Sequence, residues 1–210
     1  KRSNKNLSGC LHLMQLMNTN MQTETFYHIY NHANGFENLF NSSENFRFFL
    51  EKWGKYITPV ADTYAYCLMP NHFHFLVKVR SEEEIRKAFG FESGTFWKFQ
   101  TFQKFTSKQF ANLFSSYTQA FNRQQQRRGS LFVPNFKSKA VENEAYLTNV
   151  IFYIHHNPIH HGFTKNINDW PHSSIHALIS QKPTQLKRKY VLDWFGNKDQ
   201  FKLFHQQPLK

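Results

Sequence analysis

Cysteine is nearly missing: Cys10 and Cys67 are the only two in 210 residues, which excludes a disulfide framework and a four-cysteine metal site. Acid is scarce beside base, with 14 Asp and Glu against 26 Lys and Arg and a net charge of +12. That excess makes a polyanion the first partner to consider, nucleic acid ahead of an anionic membrane surface. Uninterrupted apolar runs of membrane-spanning length are absent, so no membrane partner is expected. Residues 1–20 carry His12 and Gln15 among Leu11, Leu13 and Leu16, a poor secretory segment. They read as a disordered leader or an extension ahead of Met21. We expect a cytoplasmic, nucleoid-associated protein.

Aromatic residues are abundant instead, 24 of them Phe, enough for a sizeable core in one domain with appendages. Residues 26–32 alternate aromatic and polar side chains and predict a strand, ended by Asn34-Gly35. Phe46, Phe49, Leu50, Trp53 and Ile57 recur at helical spacing behind Ser42 and Ser43, and Pro59 stops that helix. Strands at 60–67 and 72–79 flank Pro70-Asn71, which predicts a hairpin. Ser81 with the glutamates after it starts a further helix that Gly90 and Gly94 break. The segment 104–121 predicts a second packed helix. Arg123, Arg127, Arg128, Lys137 and Lys139 surround a short apolar run, either a hairpin or arm touching DNA phosphates or a solvated loop. A helix over 144–157 follows, limited by Pro158. The remainder reads as a loop at Trp170-Pro171, a short helix at 175–179 and a basic tail.

The chemistry centres on Pro70-Asn71-His72-Phe73-His74. A side-chain period of two puts Phe73, Phe75, Val77 and Val79 on a core face and His72, His74, Leu76 and Lys78 on the other, the imidazoles about 7 Å apart. Two His around a Phe are more often ordinary sheet residues than ligands, so a metal reading needs a third donor. Tyr153 and Asn157, four apart on a helix, share a face. If that face meets the exposed side of the His strand, Asn157 supplies the third ligand and Tyr153 a nucleophile for a phosphodiester. A phenol with an ordinary pKa near 10 needs a proton acceptor; His155 and His156 are candidates, neither assigned. His155, His156, His160 and His161 could instead hold zinc, but no recognised ligand spacing accompanies them. His28 and His32 read as strand residues, His28 at the edge of the site.

Taken together, the block 66–74, the block Tyr153-Ile154-His155-His156-Asn157-Pro158, and the segments around Gly35, Gly129-Ser130-Leu131-Phe132, Phe136-Lys137-Ser138 and Trp170 resemble the IS200-like single-tyrosine transposases, in the branch associated with repetitive extragenic palindromes. The resemblance spans roughly residues 25–179. It implies an α+β fold: a ferredoxin-like βαββαβ core with an antiparallel sheet, carrying here a basic hairpin insertion and a C-terminal helical appendage. It implies single-stranded DNA with imperfect hairpins as partner, and Mg²⁺ or Mn²⁺ as cofactor. Carried over by position, His72, His74 and Asn157 are the metal ligands and Tyr153 is the nucleophile of a covalent 5′-phosphotyrosine intermediate. Such relatives act as homodimers or monomers. Where related helices commonly carry Leu-Asn-Pro, this chain has His156-Asn157-Pro158, which leaves nucleophile and ligand in place.

On this reading residues 21–180 form the catalytic domain, and 181–210 a basic appendage that adds DNA contacts or serves as a cap. Phe91, Phe96, Trp97, Phe99 and Phe102 either stack on bases or extend the core. The function expected is metal-dependent cleavage and strand transfer of single-stranded DNA near hairpins. The alternative is a hairpin-selective DNA-binding protein whose chemistry is weak or unused.

Overall fold

Alternating side chains build the sheet and periodic ones the helices that cover it. The computed structural model describes residues 21–91 and 101–207. Strands β1 (Phe26–His32), β2 (Ala61–Met69), β3 (His72–Val79) and β4 (Lys137–Ala140) form one sheet in the order β2-β3-β1-β4. All neighbours are antiparallel, so β1 and β2 run the same way on either side of β3. Helix α1 (Ser43–Tyr56) connects β1 to β2; α2 (Glu82–Phe89) and α3 (Phe102–Gln124) connect β3 to β4. This is the ferredoxin-like βαββαβ arrangement with α2 as an addition.

One face of the sheet is a phenylalanine core. Ser42 caps α1 by accepting from the Asn45 N–H, and its buried stripe of Phe46, Phe49 and Trp53 meets Phe73 and Phe75 of β3. Trp53 stacks on Phe75 at 3.5 Å and satisfies its indole N–H on Thr63 Oγ1 at 3.0 Å. Helix α3 buries Phe102, Phe105, Phe110, Leu113, Tyr117 and Phe121 against the same core. Ser81 and Glu84 close a capping box on α2, and Gly90 at φ 64 ends it. Phe91 and Phe102 pack with this core, which supports the core reading for those two. Phe96, Trp97 and Phe99 lie outside the described residues, as does Cys10.

The opposite face carries the site. Helix α4 (Leu147–His160) lies over β2 and β3, burying Leu147, Val150, Ile151 and Ile154 against Ala65, Cys67 and Leu76. Pro158 does not limit this helix at Asn157: the helix runs through it to His160. A proline removes one donor, and in the last turn that forfeits a single bond while the His161 N–H still closes on Asn157 O. Helices α5 (Ile175–Ile179), α6 (Arg188–Trp194) and α7 (Lys198–His205) add Ile175, Leu178, Val191 and Phe201 to the second core. Among the described residues, no helix is long and apolar enough to cross a membrane.

The basic stretch is not a hairpin insertion. Arg123 ends α3, Arg127 and Arg128 lie in a loop, and Lys137 and Lys139 stand on edge strand β4. The physical reason is pairing: β4 completes the sheet on β1, and Phe132 bridges Ala33.

Candidate active site

Cross-strand register assembles the site. Partners in an antiparallel pair share a face, and the register sets His72 beside His32 and His74 beside Tyr30. It also sets His28 beside Lys139 and Tyr30 beside Lys137. β1 therefore contributes His28, Tyr30 and His32 as a row backing the His72–His74 pair, with two lysines at its edge. Sequence alone makes His28 and His32 strand residues; their alternate spacing with Tyr30 is the signal that could place them at the site.

Contrary to the expectation of an exposed imidazole face, His72 and His74 are buried beneath α4. Their environment keeps them neutral. Burial lowers His72 to about 3, with help from His161 and His32. Burial lowers His74 to about 2, with His28, His72, His32 and His161 adding to it. A neutral imidazole is the form that ligates a metal.

Helix α4 and its C-cap residue His161 lay three residues, four apart, along the pair. Tyr153 meets the His74 ring edge-on at 5.7 Å and the His28 ring at 5.8 Å. His161 meets His72 at 4.5 Å. Asn157 lies one turn from each, on the same face and fully buried. Its Nδ2 donates to Tyr153 O at 2.7 Å, and its Oδ1 is buried without a hydrogen-bond partner. His72 Nε2 is buried without one too, while His72 Nδ1 donates to Asn71 Oδ1 at 2.7 Å. Two orphaned acceptors under one helix face are costly unless something occupies them. A divalent cation fits that donor chemistry. Among the described residues no group of three or more His, Cys, Asp or Glu is placed to hold a metal; an amide must complete this set.

Tyr153 stays accessible, 45% exposed, so the site opens beside its phenol. His155 and His156 do not assist it. His155 Nδ1 donates to His205 Nε2 at 2.9 Å and its Nε2 accepts from Ser174 Oγ at 2.7 Å. His205 Nδ1 donates to Phe201 O at 2.8 Å, which fixes every tautomer in the chain of bonds. His156 donates to Phe152 O. His155 ties α4 to α7 and, through Ser174, whose Oγ accepts from the Tyr66 N–H, to β2; among the described residues these histidines form no zinc centre with His160 and His161.

Of the basic candidates, Arg123, Arg128, Lys137 and Lys139 are exposed. Arg127 is engaged internally: it pairs with Glu37 at 2.5 Å and bonds Asn122 and Ser130 O, which closes a loop.

The buried histidines are expected to make the fold acid-labile. Burial takes His205 from 6.5 to about 4 and His155 well below its ordinary value. Between pH 6.5 and 4 the unfolded chain binds protons that the folded chain refuses, so stability is full above 6.5 and falls as pH falls. His205 alone gives on the order of 3 kcal/mol, and each kcal/mol moves Tm by roughly 2–4 °C at this size. Calorimetry should show Tm at least about 10 °C lower at pH 4.5 than at pH 7. A flat Tm over that range would contradict neutral burial.

The chain is 27% identical over 143 residues to a Haemophilus influenzae protein assigned as a REP-associated tyrosine transposase, covering 66% of this chain and 69% of that protein. It is 29% identical over 72 residues to the REP-associated tyrosine transposase of Escherichia coli K12, covering 34% and 40%. A solved structure of a REP-associated tyrosine transposase bound to a REP hairpin superposes with a TM-score of 0.52 at 17% identity, over 78% of this chain and 85% of that one. At that identity the likeness is one of fold. No protein-family model matches the chain.

Proposed function

We propose that this chain, a relative of the REP-associated tyrosine transposases, is a single-tyrosine transposase that cleaves and rejoins single-stranded DNA beside a hairpin. One observation carries the reading: Tyr153, Asn157 and His161 lie along one helix face whose outer members touch His74 and His72, with an exposed phenol at one end.

In this reaction the Tyr153 oxygen attacks phosphorus, a P–O bond to tyrosine forms, and the bond from phosphorus to the 3′ oxygen breaks. The phenol gives up its proton and the departing 3′ oxygen gains one. The 5′ phosphate remains on Tyr153, and reversal by another 3′ hydroxyl joins strands without a nucleotide cofactor. His72 Nε2, His74 and Asn157 Oδ1 would hold Mg²⁺ or Mn²⁺. A bound divalent ion would polarise a nonbridging oxygen of the scissile phosphate. The Asn157–Tyr153 O bond locks the amide so that Oδ1 is the free atom. Residues 21–180 are the catalytic unit, braced by the helices after 181, and one copy or two would act on the nucleoid.

Lys137 and Lys139 are assigned as phosphate-binding residues, because the register puts them on the site face beside Tyr30 and His28. Removing both should lower the slope of log K against log salt by about 1 for each phosphate that is no longer neutralised. Arg127→Ala should leave that slope unchanged, since its charge is already paired. Equal slopes for wild type and the double lysine variant would take β4 out of the DNA footprint.

The function is tested with end-labelled single-stranded hairpin DNA and Mn²⁺ on a denaturing gel. A covalent protein–DNA band that needs the hairpin supports cleavage. Tight binding without any such band across metals would turn the reading into one of hairpin binding alone.

A further inference from the structure

The two imidazoles of the candidate metal pair use the same ring nitrogen for a protein partner. His72 Nδ1 bonds Asn71 Oδ1 at 2.7 Å. A carboxamide oxygen only accepts, so His72 carries its proton on Nδ1 and keeps the Nε2 lone pair free. His74 Nδ1 lies 2.9 Å from His28 Nε2. Between two neutral rings one proton occupies that bond, and its owner decides what His74 can do. If His28 donates, the His74 proton sits on Nε2 and blocks ligation there. If His74 donates, its Nε2 matches that of His72.

We propose that His28 is a positioning residue for the metal pair, accepting the Nδ1 proton of His74 and so making His74 Nε2 a ligand atom. The inference rests on the reading of His72 and His74 as ligands. Three observations support it. In both histidines Nδ1 is the nitrogen held by a protein partner, which leaves Nε2 as the atom the two have in common for a ligand. The His28 and His74 rings lie edge to edge, 24° from coplanar with centroids 5.0 Å apart, the alignment an in-plane N–H···N bond requires, and Tyr30 packs against His74 at 5.5 Å and 26°, which fixes the plane of the imidazole. His28 also reaches Tyr153 at 5.8 Å, so one β1 side chain sets the ligand against the nucleophile. Metal-bound histidines ordinarily donate their second ring N–H to such an outer partner, which fixes tautomer and orientation; here an imidazole takes the place usual for a carboxylate or carbonyl.

The test needs two readouts. In metal-free ¹⁵N-labelled wild type, long-range ¹H–¹⁵N correlations at about pH 7.5 report the His74 tautomer, with the proton expected on Nδ1. Mn²⁺ binding followed by the EPR signal of the free ion should weaken about 10–100-fold in His28→Phe and recover to within about threefold in His28→Gln, whose Oε1 can accept the same proton. A His74 proton on Nε2, or equal Mn²⁺ binding by wild type and His28→Phe, overturns the inference. His72→Ala separates it from the function: loss of Mn²⁺ there, with no effect at His28, leaves the ligand reading standing and rejects only the role of His28. Unchanged binding in His72→Ala removes both.

Discussion

Tyr153→Phe will cut covalent protein–DNA product to below about 10⁻³ of wild type while changing hairpin affinity by no more than about twofold. The expectation is sharp because the substitution removes one atom from an accessible ring. Phenylalanine keeps the edge contacts with His28 and His74, so the fold and the His72–His74 pair should be undisturbed. The Asn157 bond goes to the backbone carbonyl of residue 153 and survives too. Tyr146, also exposed and two turns earlier, is the internal control: Tyr146→Phe should cleave as wild type. Retained adduct in the Tyr153 variant would mean another nucleophile.

Replacing His72 and His74 together with alanine will lower metal-dependent cleavage by about 10³-fold or more. A metal acting on a phosphoryl oxygen supplies several kcal/mol of charge stabilisation, and each 1.4 kcal/mol is about tenfold. Binding of the hairpin should persist, because Lys137 and Lys139, the proposed phosphate contacts, lie on β4. Cavities under α4 will cost stability, so the comparison belongs well below the Tm of the variant. Unchanged cleavage across a Mn²⁺ titration would show that the two orphaned acceptors serve another purpose.

The sheet and most helices are legible in the sequence because their signals are local. Alternation in 26–32 and 72–79 names both strands and the faces of Phe73, Phe75, His72 and His74; the Ser42 cap and the Ser81 box mark two helix starts. The i,i+4 relation of Tyr153 and Asn157 places both on one face without knowledge of the fold. What does not show depends on distant pairing. Nothing near His28 announces that Nδ1 of His74 will meet it across β1 and β3, and Glu37 lies 90 residues from the Arg127 it neutralises. His155 looks available to Tyr153 by proximity in sequence, yet successive helix positions diverge and it bonds His205, 50 residues on. Pro158 signals a boundary by a local rule that the last helical turn tolerates. The burial of the histidine pair likewise follows from where α4 docks, which periodicity does not encode.

The most direct measurement locates the DNA on the protein. Adduct formed on hairpin DNA with Mn²⁺ is digested with trypsin and nuclease, and the modified peptide is fragmented in a mass spectrometer. Cleavage after Lys139 and Lys165 gives a peptide of residues 140–165 that holds both Tyr146 and Tyr153. A nucleotide phosphate on Tyr153 is the predicted result; a phosphate on Tyr146 or on any other side chain would contradict the account.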